Sequence, residues 1–390
     1  MKRLALLCLP LLCPATAAAT EASWWPPAIR GEHGVFEIIG NLGYDMAWID
    51  ADDGSGHGHR HTDGWRRQEI GFSYTRPGRL ELFAGYDPHQ KGWADAGIRL
   101  DSRWLGGRDL GKLRIGQSRM PVGLEGSTAS RAGVFIENSL PTQAMHQSRR
   151  LGVDWAHDSR YVVVNLGRYL RSDLGGNFKG HTRAGRLAWT PRKAAGDVLH
   201  LGLAASRERL HSETNGWGIE IPPATRLRAR SATVLAVLPV LDSGPLLGLH
   251  HIDRQAAEAV WIAGPFSLQG EYLRHRSRLA SQPQHYRADG GYLLATWSLT
   301  GAPRSYFAGT TGNPASAPRT GTIELAARYD RLHLDDGNGS QGHARQWALG
   351  ANWYLGRHLK LQANYATARA RQGSQPTRHD TVALRTQLHF

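Results

Sequence analysis

The residues of this chain best equipped for chemistry are its arginines. Thr225-Arg226-Leu227-Arg228-Ala229-Arg230 sets three guanidiniums at period two. In an extended chain Arg226, Arg228 and Arg230 would project to one side, about 6.5 to 7 Å apart. Each fork can grip phosphate or carboxylate through paired N–H groups and is not deprotonated in proteins. Such a row could hand an anion along, provided each grip replaces hydration and resembles the next. The whole chain leans the same way, with 47 Lys+Arg against 33 Asp+Glu and a formal charge of +14. Only residues 2, 91, 112, 179, 193 and 360 are lysine, so the charge is overwhelmingly guanidinium and favours an anionic partner.

Other chemistries lack a local signal. Gly56-His57-Gly58-His59-Arg60-His61 reads as an exposed glycine-rich tip rather than a metal site, and His250-His251 has no Cys or acidic cluster beside it. No Gly-x-Ser-x-Gly, His-Glu-x-x-His or phosphate-cradling Gly loop with Lys-Ser/Thr occurs. The expectation is therefore a non-enzyme with no catalytic residues, metal or cofactor.

The elements that must position these arginines are strands. From Thr381 to Phe390, Val382, Leu384, Thr386, Leu388 and Phe390 fall on one side of an extended chain, with Thr381, Ala383, Arg385, Gln387 and His389 on the other. An apolar side against a polar side, closing on a terminal aromatic residue, suits a strand between lipid and a wet lumen. The same alternation runs through Trp347 to Leu355, Leu359 to Tyr365 and Ile323 to Asp330, with Trp and Tyr near strand ends as in interfacial girdles. At the other end Met1-Lys2-Arg3, the apolar run Leu4 to Leu12 and Ala17-Ala18-Ala19 make a secretory signal over residues 1–19. Both cysteines, Cys8 and Cys13, fall inside it, leaving an exported chain without thiols and making nucleic-acid binding an unsuitable use of the positive charge.

The fold class expected is all-β, a transmembrane antiparallel β-barrel in the bacterial outer membrane, with 20–34 as an N-terminal periplasmic segment and 35–390 as a single barrel. Tight connections near 76–79, 106–111, 157–160, 264–266 and 355–357 alternate with polar stretches at 50–63, 120–148, 207–255, 334–343 and 371–377. With 207–255 as one loop the count is sixteen strands. It becomes eighteen if Ser231 to Leu238 and Leu246 to Ile252 are strands, which Pro239 and Pro245 disfavour. The stretch 120–148, bounded by Arg119 and Arg149-Arg150, is long enough to fold into a wide lumen, narrow it and set its sign.

Several motifs in order carry a resemblance. Ile115-Gly116-Gln117-Ser118-Arg119-Met120-Pro121-Val122-Gly123-Leu124-Glu125, Phe135-Ile136-Glu137-Asn138-Ser139-Leu140-Pro141 and Arg149-Arg150-Leu151-Gly152-Val153 resemble the phosphate-selective porin O and P family. Gly264 to Tyr272, Trp297 to Gly301 and Glu324 to Tyr329 extend the likeness over roughly 35–390. The resemblance implies a sixteen-stranded homotrimeric channel in outer-membrane lipid, whose inward loops and arginine ladder lead phosphate or other small anions to a basic constriction. Arg226, Arg228 and Arg230 match the ladder. Arg119 stands where the family has a constriction lysine, and Asp95 corresponds to an aspartate facing it. Trp65-Arg66-Arg67 is similar to an aromatic-Arg-Arg strand start, and strand alternation would turn at most one of Arg66 and Arg67 toward the lumen. Arg304 and Arg319 would replace lysines of the periplasmic vestibule. Two readings compete: a general or sugar porin, which would line the lumen with aromatic residues, and an outer-membrane hydrolase, which would need a Ser/His/acid cluster on the wall.

Overall fold

The computed structural model describes residues 21–390 except 26, 53–56, 177–178, 237, 280–284, 316, 318–319, 338 and 340. The expected signal, 1–19, lies outside the described residues. Among those residues sixteen antiparallel strands close into one barrel. The first eight are β1 (Gly34–Asp52), β2 (His57–Arg76), β3 (Leu80–Asp87), β4 (Gly92–Asp101), β5 (Lys112–Arg119), β6 (Arg149–Asp158), β7 (Val162–Leu170) and β8 (Gly180–Ala194). The second eight are β9 (Asp197–Leu210), β10 (Leu249–Ala263), β11 (Phe266–Leu279), β12 (His285–Ser298), β13 (Thr322–Asp335), β14 (Gln341–Leu355), β15 (Leu359–Gln372) and β16 (Gln375–His389). Each pairs with the next in sequence, and β16 closes on β1 from Arg378↔Asp52 to His389↔Asn41. Segments Glu21–Trp24 and Pro27–Gly31 form a hairpin that adds to the start of β1. Phe390 exchanges backbone hydrogen bonds with Gly40 at 2.9 and 3.1 Å, sealing the seam to its last residue.

Period-two patterning explains the wall. In β16, Val382, Leu384 and Thr386 face outward and exposed, while Thr381, Ala383, Arg385 and Gln387 are buried on the inner side. The outer surface carries Leu187, Leu203, Leu293, Trp347 and Leu349, each more than half exposed, as a lipid-facing band requires. Strands β3 to β7 are 8 to 10 residues long, whereas the others run to 14 or more. One flank of the barrel is therefore low.

Two expectations are corrected, and the expected sixteen strands are found. The polar stretch 50–63 is largely strand, because β1 reaches Asp52 and β2 starts at His57. The histidine-bearing run is thus ladder and not a loop tip. Residues 207–255 shrink to a connection of 211–248, since Arg207 and Arg209 continue β9 and His250 and His251 belong to β10. The eighteen-strand alternative is not realised: Leu246–Leu247 pairs only with Ala224–Thr225 inside the loop. The connection 299–321, on the end where the C terminus lies, is also long. It folds a small hairpin, Arg304–Phe307 with Thr310–Pro314.

The core sits inside the barrel. Leu227, Ala229, Leu241 and Leu246 of loop 211–248 and Met120, Val122, Leu140 and Met145 of loop 120–148 join inward residues such as Ile252, Leu332, Leu334 and Ala344 in one buried cluster. Burying such side chains stabilises by roughly 1.5–3 kcal/mol apiece, which is what holds two long loops within the wall rather than above it.

Candidate channel constriction

Loop 120–148 crosses the lumen and is fastened to the far wall. Its first short helix, Leu124–Ser127, presents the Leu124 and Glu125 N–H groups to the Glu271 carboxylate of β11 at 2.5 and 2.8 Å. Glu125 in turn accepts from the Ser139 N–H at 2.9 Å and from Arg328 of β13 at 3.1 Å. Further along, the Ile136 N–H donates to Asn364 of β15 at 2.8 Å, and the Val134 carbonyl accepts from Asn352 of β14 and Gln362 of β15 at 2.9 and 3.1 Å. Gly126 must be glycine here, because a Cβ would lie 2.2 Å from the His146 ring. These partners belong to β11 and β13 to β15; toward β2, β5, β6 and β16 the loop faces a separate group of charged side chains.

That side is lined with guanidinium. A cavity of about 190 Å³ is bordered by Arg66, Arg67, Arg119, Arg149 and Arg385, with Glu137 from the loop. Arg66 donates to Glu137 at 2.8 Å, and Arg385 grips Asp45 through two hydrogen bonds of 2.6 and 2.7 Å. These two charges are matched. Arg149 donates to Asp95 at 2.6 Å, while Arg119 stands 3.9 Å from the same carboxylate, so two cations share one anion. Arg67 bonds to the neutral Gln90 amide at 3.2 Å and lies 4.0 Å from Asp87. The surplus of positive charge thus gathers at Arg67, Arg119 and Arg149. His146, beside them, adds none: burial holds its imidazole down at about 4.

Arg66 and Arg67 both reach this cavity, which corrects the expectation that at most one could. Gly43 pairs with Arg67 and Tyr44 with Trp65, leaving Arg66 as the extra residue of a β-bulge. The bulge reverses the parity of β2, so Trp65 and Ile70 both face outward while two consecutive arginines face in.

The row in loop 211–248 has the spacing its alternation implies. Leu227 and Ala229 are buried, Arg226 and Arg228 are exposed, and Arg230 is half-buried on the same face as they are. Arg226 is forked on Asp242 at 2.6 and 2.5 Å. The Arg230 backbone is doubly bonded to Gln143 of loop 120–148, at 3.0 and 2.9 Å. Burial, then Arg228, holds the Arg230 guanidinium below its ordinary value, while Asp242 and Glu137 act the other way. Glu137 is the partner of Arg66, which connects the foot of the row to the constriction electrostatically. Arg304 does not line a vestibule. It is buried, bonded to both oxygens of Glu324 at 2.8 and 2.9 Å and to the Ala132 carbonyl at 2.9 Å. Arg319 lies outside the described residues.

The sequence reading missed Arg149, Arg385, Asp45 and Glu137 as members of the constriction. Arg149 was visible as the loop boundary and Arg385 as a cation on the polar side of the last strand. Their convergence depends on the path of the loop across the lumen.

Comparison with known proteins agrees with this architecture. The family model described as "Phosphate-selective porin O and P" matches residues 36–390. Porin O of Pseudomonas aeruginosa is 25% identical over 217 residues, half of this chain and 47% of that protein. Among solved structures, OmpT of Vibrio cholerae superposes with a TM-score of 0.61 at 10% identity, covering 93% of this chain and 99% of OmpT. Its trimer form gives 0.56. An anion-selective porin from Comamonas acidovorans superposes with a TM-score of 0.58 at 12% identity, covering 91% and 99%.

Proposed function

The chain belongs to the phosphate-selective porin O and P family, and on that premise we propose that it carries phosphate or related phosphate-bearing solutes passively inward through an arginine-lined lumen. It is an outer-membrane porin and not an enzyme. The connections that include loops 120–148 and 211–248 therefore face outside, and the C terminus faces the periplasm. In the proposed path an anion meets Arg226 and Arg228 first, reaches Arg230, and is then taken by Arg67, Arg119 and Arg149 at the constriction. Asp95 holds Arg119 and Arg149 in position without cancelling both charges. Arg66 is tied to Glu137 and offsets the charge of that carboxylate.

The observation that carries the reading is the sharing of one carboxylate by Arg119 and Arg149 beside the weakly paired Arg67. A fixed positive surplus where the loop crosses the lumen repels cations and replaces part of the hydration of an anion. No single fork holds the anion so tightly that passage would stop. Arginine in place of lysine at position 119 offers two parallel donors, matching a tetrahedral oxyanion better than a point charge would. A homotrimer is the proposed assembly, supported by the trimeric form of OmpT, with the low flank of β3 to β7 as the proposed contact because its strands rise less far than the rest of the wall.

Reversal potentials of single channels in a potassium chloride gradient test the sign. Anion preference, together with chloride current blocked by added phosphate, is expected. Cation preference would overturn the proposal, and block that persists in R67Q/R119Q/R149Q would remove these residues from it.

A further inference from the structure

Outside the lumen the register lines up cations for which the channel has no use. Near the extracellular end Arg331 of β13 pairs across the ladder with Arg345 of β14, Arg345 with Arg369 of β15, and Arg369 with Arg378 of β16. All four are exposed and on the outer face. With strands about 4.8 Å apart, the row spans about 14 Å. Like charges directly opposite one another destabilise a sheet. Arg378 is relieved by Asp380 at 2.8 Å, whereas among the described residues Arg331, Arg345 and Arg369 have no carboxylate partner. A recess of about 530 Å³ opens between Arg345, Arg369, Arg371 and Arg378, with Asp52 of β1, opposite Arg378 in the ladder, as the one carboxylate among the described residues on its lining.

The height of the row identifies what meets it. Two residues closer to the periplasm, Tyr329 and Trp347 pack with ring centroids 4.7 Å apart, followed on the same face by Leu349, Tyr365, Val382 and Leu384, all exposed. An aromatic pair above an apolar band marks the lipid interface. The arginines therefore stand at headgroup level, in the leaflet opposite the C terminus.

We propose that this row is a docking site for the phosphorylated headgroup of an outer-leaflet lipid. Its phosphates bridge adjacent guanidiniums and its acyl chains lie along Leu349, Tyr365 and Val382. The bridging phosphates supply the counter-charge that the sheet lacks. Free inorganic phosphate would meet the forks alone, whereas the row stands at the edge of the lipid-facing band, where a headgroup and its acyl chains meet both, so the site is assigned to the lipid.

Binding of bisphosphorylated lipid A, its phosphate-free counterpart and inorganic phosphate to the intact detergent-solubilised protein tests this, with bound molecules counted by native mass spectrometry. Wild type should retain the bisphosphorylated lipid, and R345Q/R369Q should hold it roughly thirtyfold more weakly. R345K/R369K should keep most of the binding, and single-channel conductance should be unchanged in both variants. The single variants R345Q and R369Q, each with a partial loss, serve if the double variant does not assemble. Equal retention by wild type and R345Q/R369Q, no preference for phosphorylated over phosphate-free lipid, or displacement by millimolar inorganic phosphate would each overturn the proposal.

Discussion

At the scale of single residues, five arginines around one cavity are not equivalent. Arg385 is matched by Asp45 and buried with it, so R385Q should lower stability by about 3 kcal/mol by stranding a carboxylate, seen as a lower melting temperature, with little change in ion preference. Arg67 is barely matched, and R67Q should do the reverse: near-normal stability and a roughly fivefold loss in anion-to-cation permeability ratio, the effect of one charge at close range in water. If the two variants exchange phenotypes, the charge assignment is wrong. Titration gives a second check. Guanidinium does not titrate, and His146 in the folded loop is held at about 4 against about 6.5 when unfolded. Because the depressed value favours the neutral ring, its contribution to stability is complete above pH ~6.5 and is lost as pH falls toward ~4. Selectivity should stay flat between about pH 8 and 6, and H146Q should flatten the acid limb of a thermal-stability profile. The residue types were legible in the sequence: Arg119, Arg226, Arg228 and Arg230 could be picked out by spacing or motif. Their partners could not, because Asp45 and Arg385 meet only when the first and last strands close.

At the scale of elements, alternation was enough to recognise strands and to choose sixteen over eighteen, since Pro239 and Pro245 cannot serve a ladder. It failed at Arg66 and Arg67. Period-two reasoning assumes an unbroken pleat, and one extra residue opposite Gly43 and Tyr44 broke it. Nothing local to Trp65-Arg66-Arg67 announces that bulge, which depends on the partner strand. Loop 120–148 was legible as long and inward, but its fastening was not, because Glu271, Asn352, Gln362 and Asn364 lie more than a hundred residues away. Glu271 supplies a prediction at this scale. E271A removes the acceptor of two helix N–H groups, so the loop should loosen at a cost of about 2 kcal/mol. Single channels should then show a larger conductance together with weaker anion preference. An unchanged conductance would mean that the remaining ties suffice.

At the scale of the whole molecule, the strands differ in height around the barrel. The low flank is the contact proposed for a neighbouring copy, and the tall flank bears the external arginine row. On the two proposals made above, a barrel so arranged would address two populations of phosphate, one dissolved and passing inside, one lipid-borne and stationary outside. Both depend on the same closed ladder. The inner set depends on the loops, however, while the outer set depends on register alone.

The small hairpin of connection 299–321 has a further effect. Arg304 holds the Ala132 carbonyl and Asn313 the Arg131 carbonyl, at 2.9 and 3.1 Å, so the segment of loop 120–148 that crosses the lumen is clasped from beneath as well as from its sides. A segment restrained in three directions has little room to flutter. Recordings at constant voltage should therefore show one quiet level with few brief closures, and shortening the hairpin should make the trace noisy before it makes the barrel unstable.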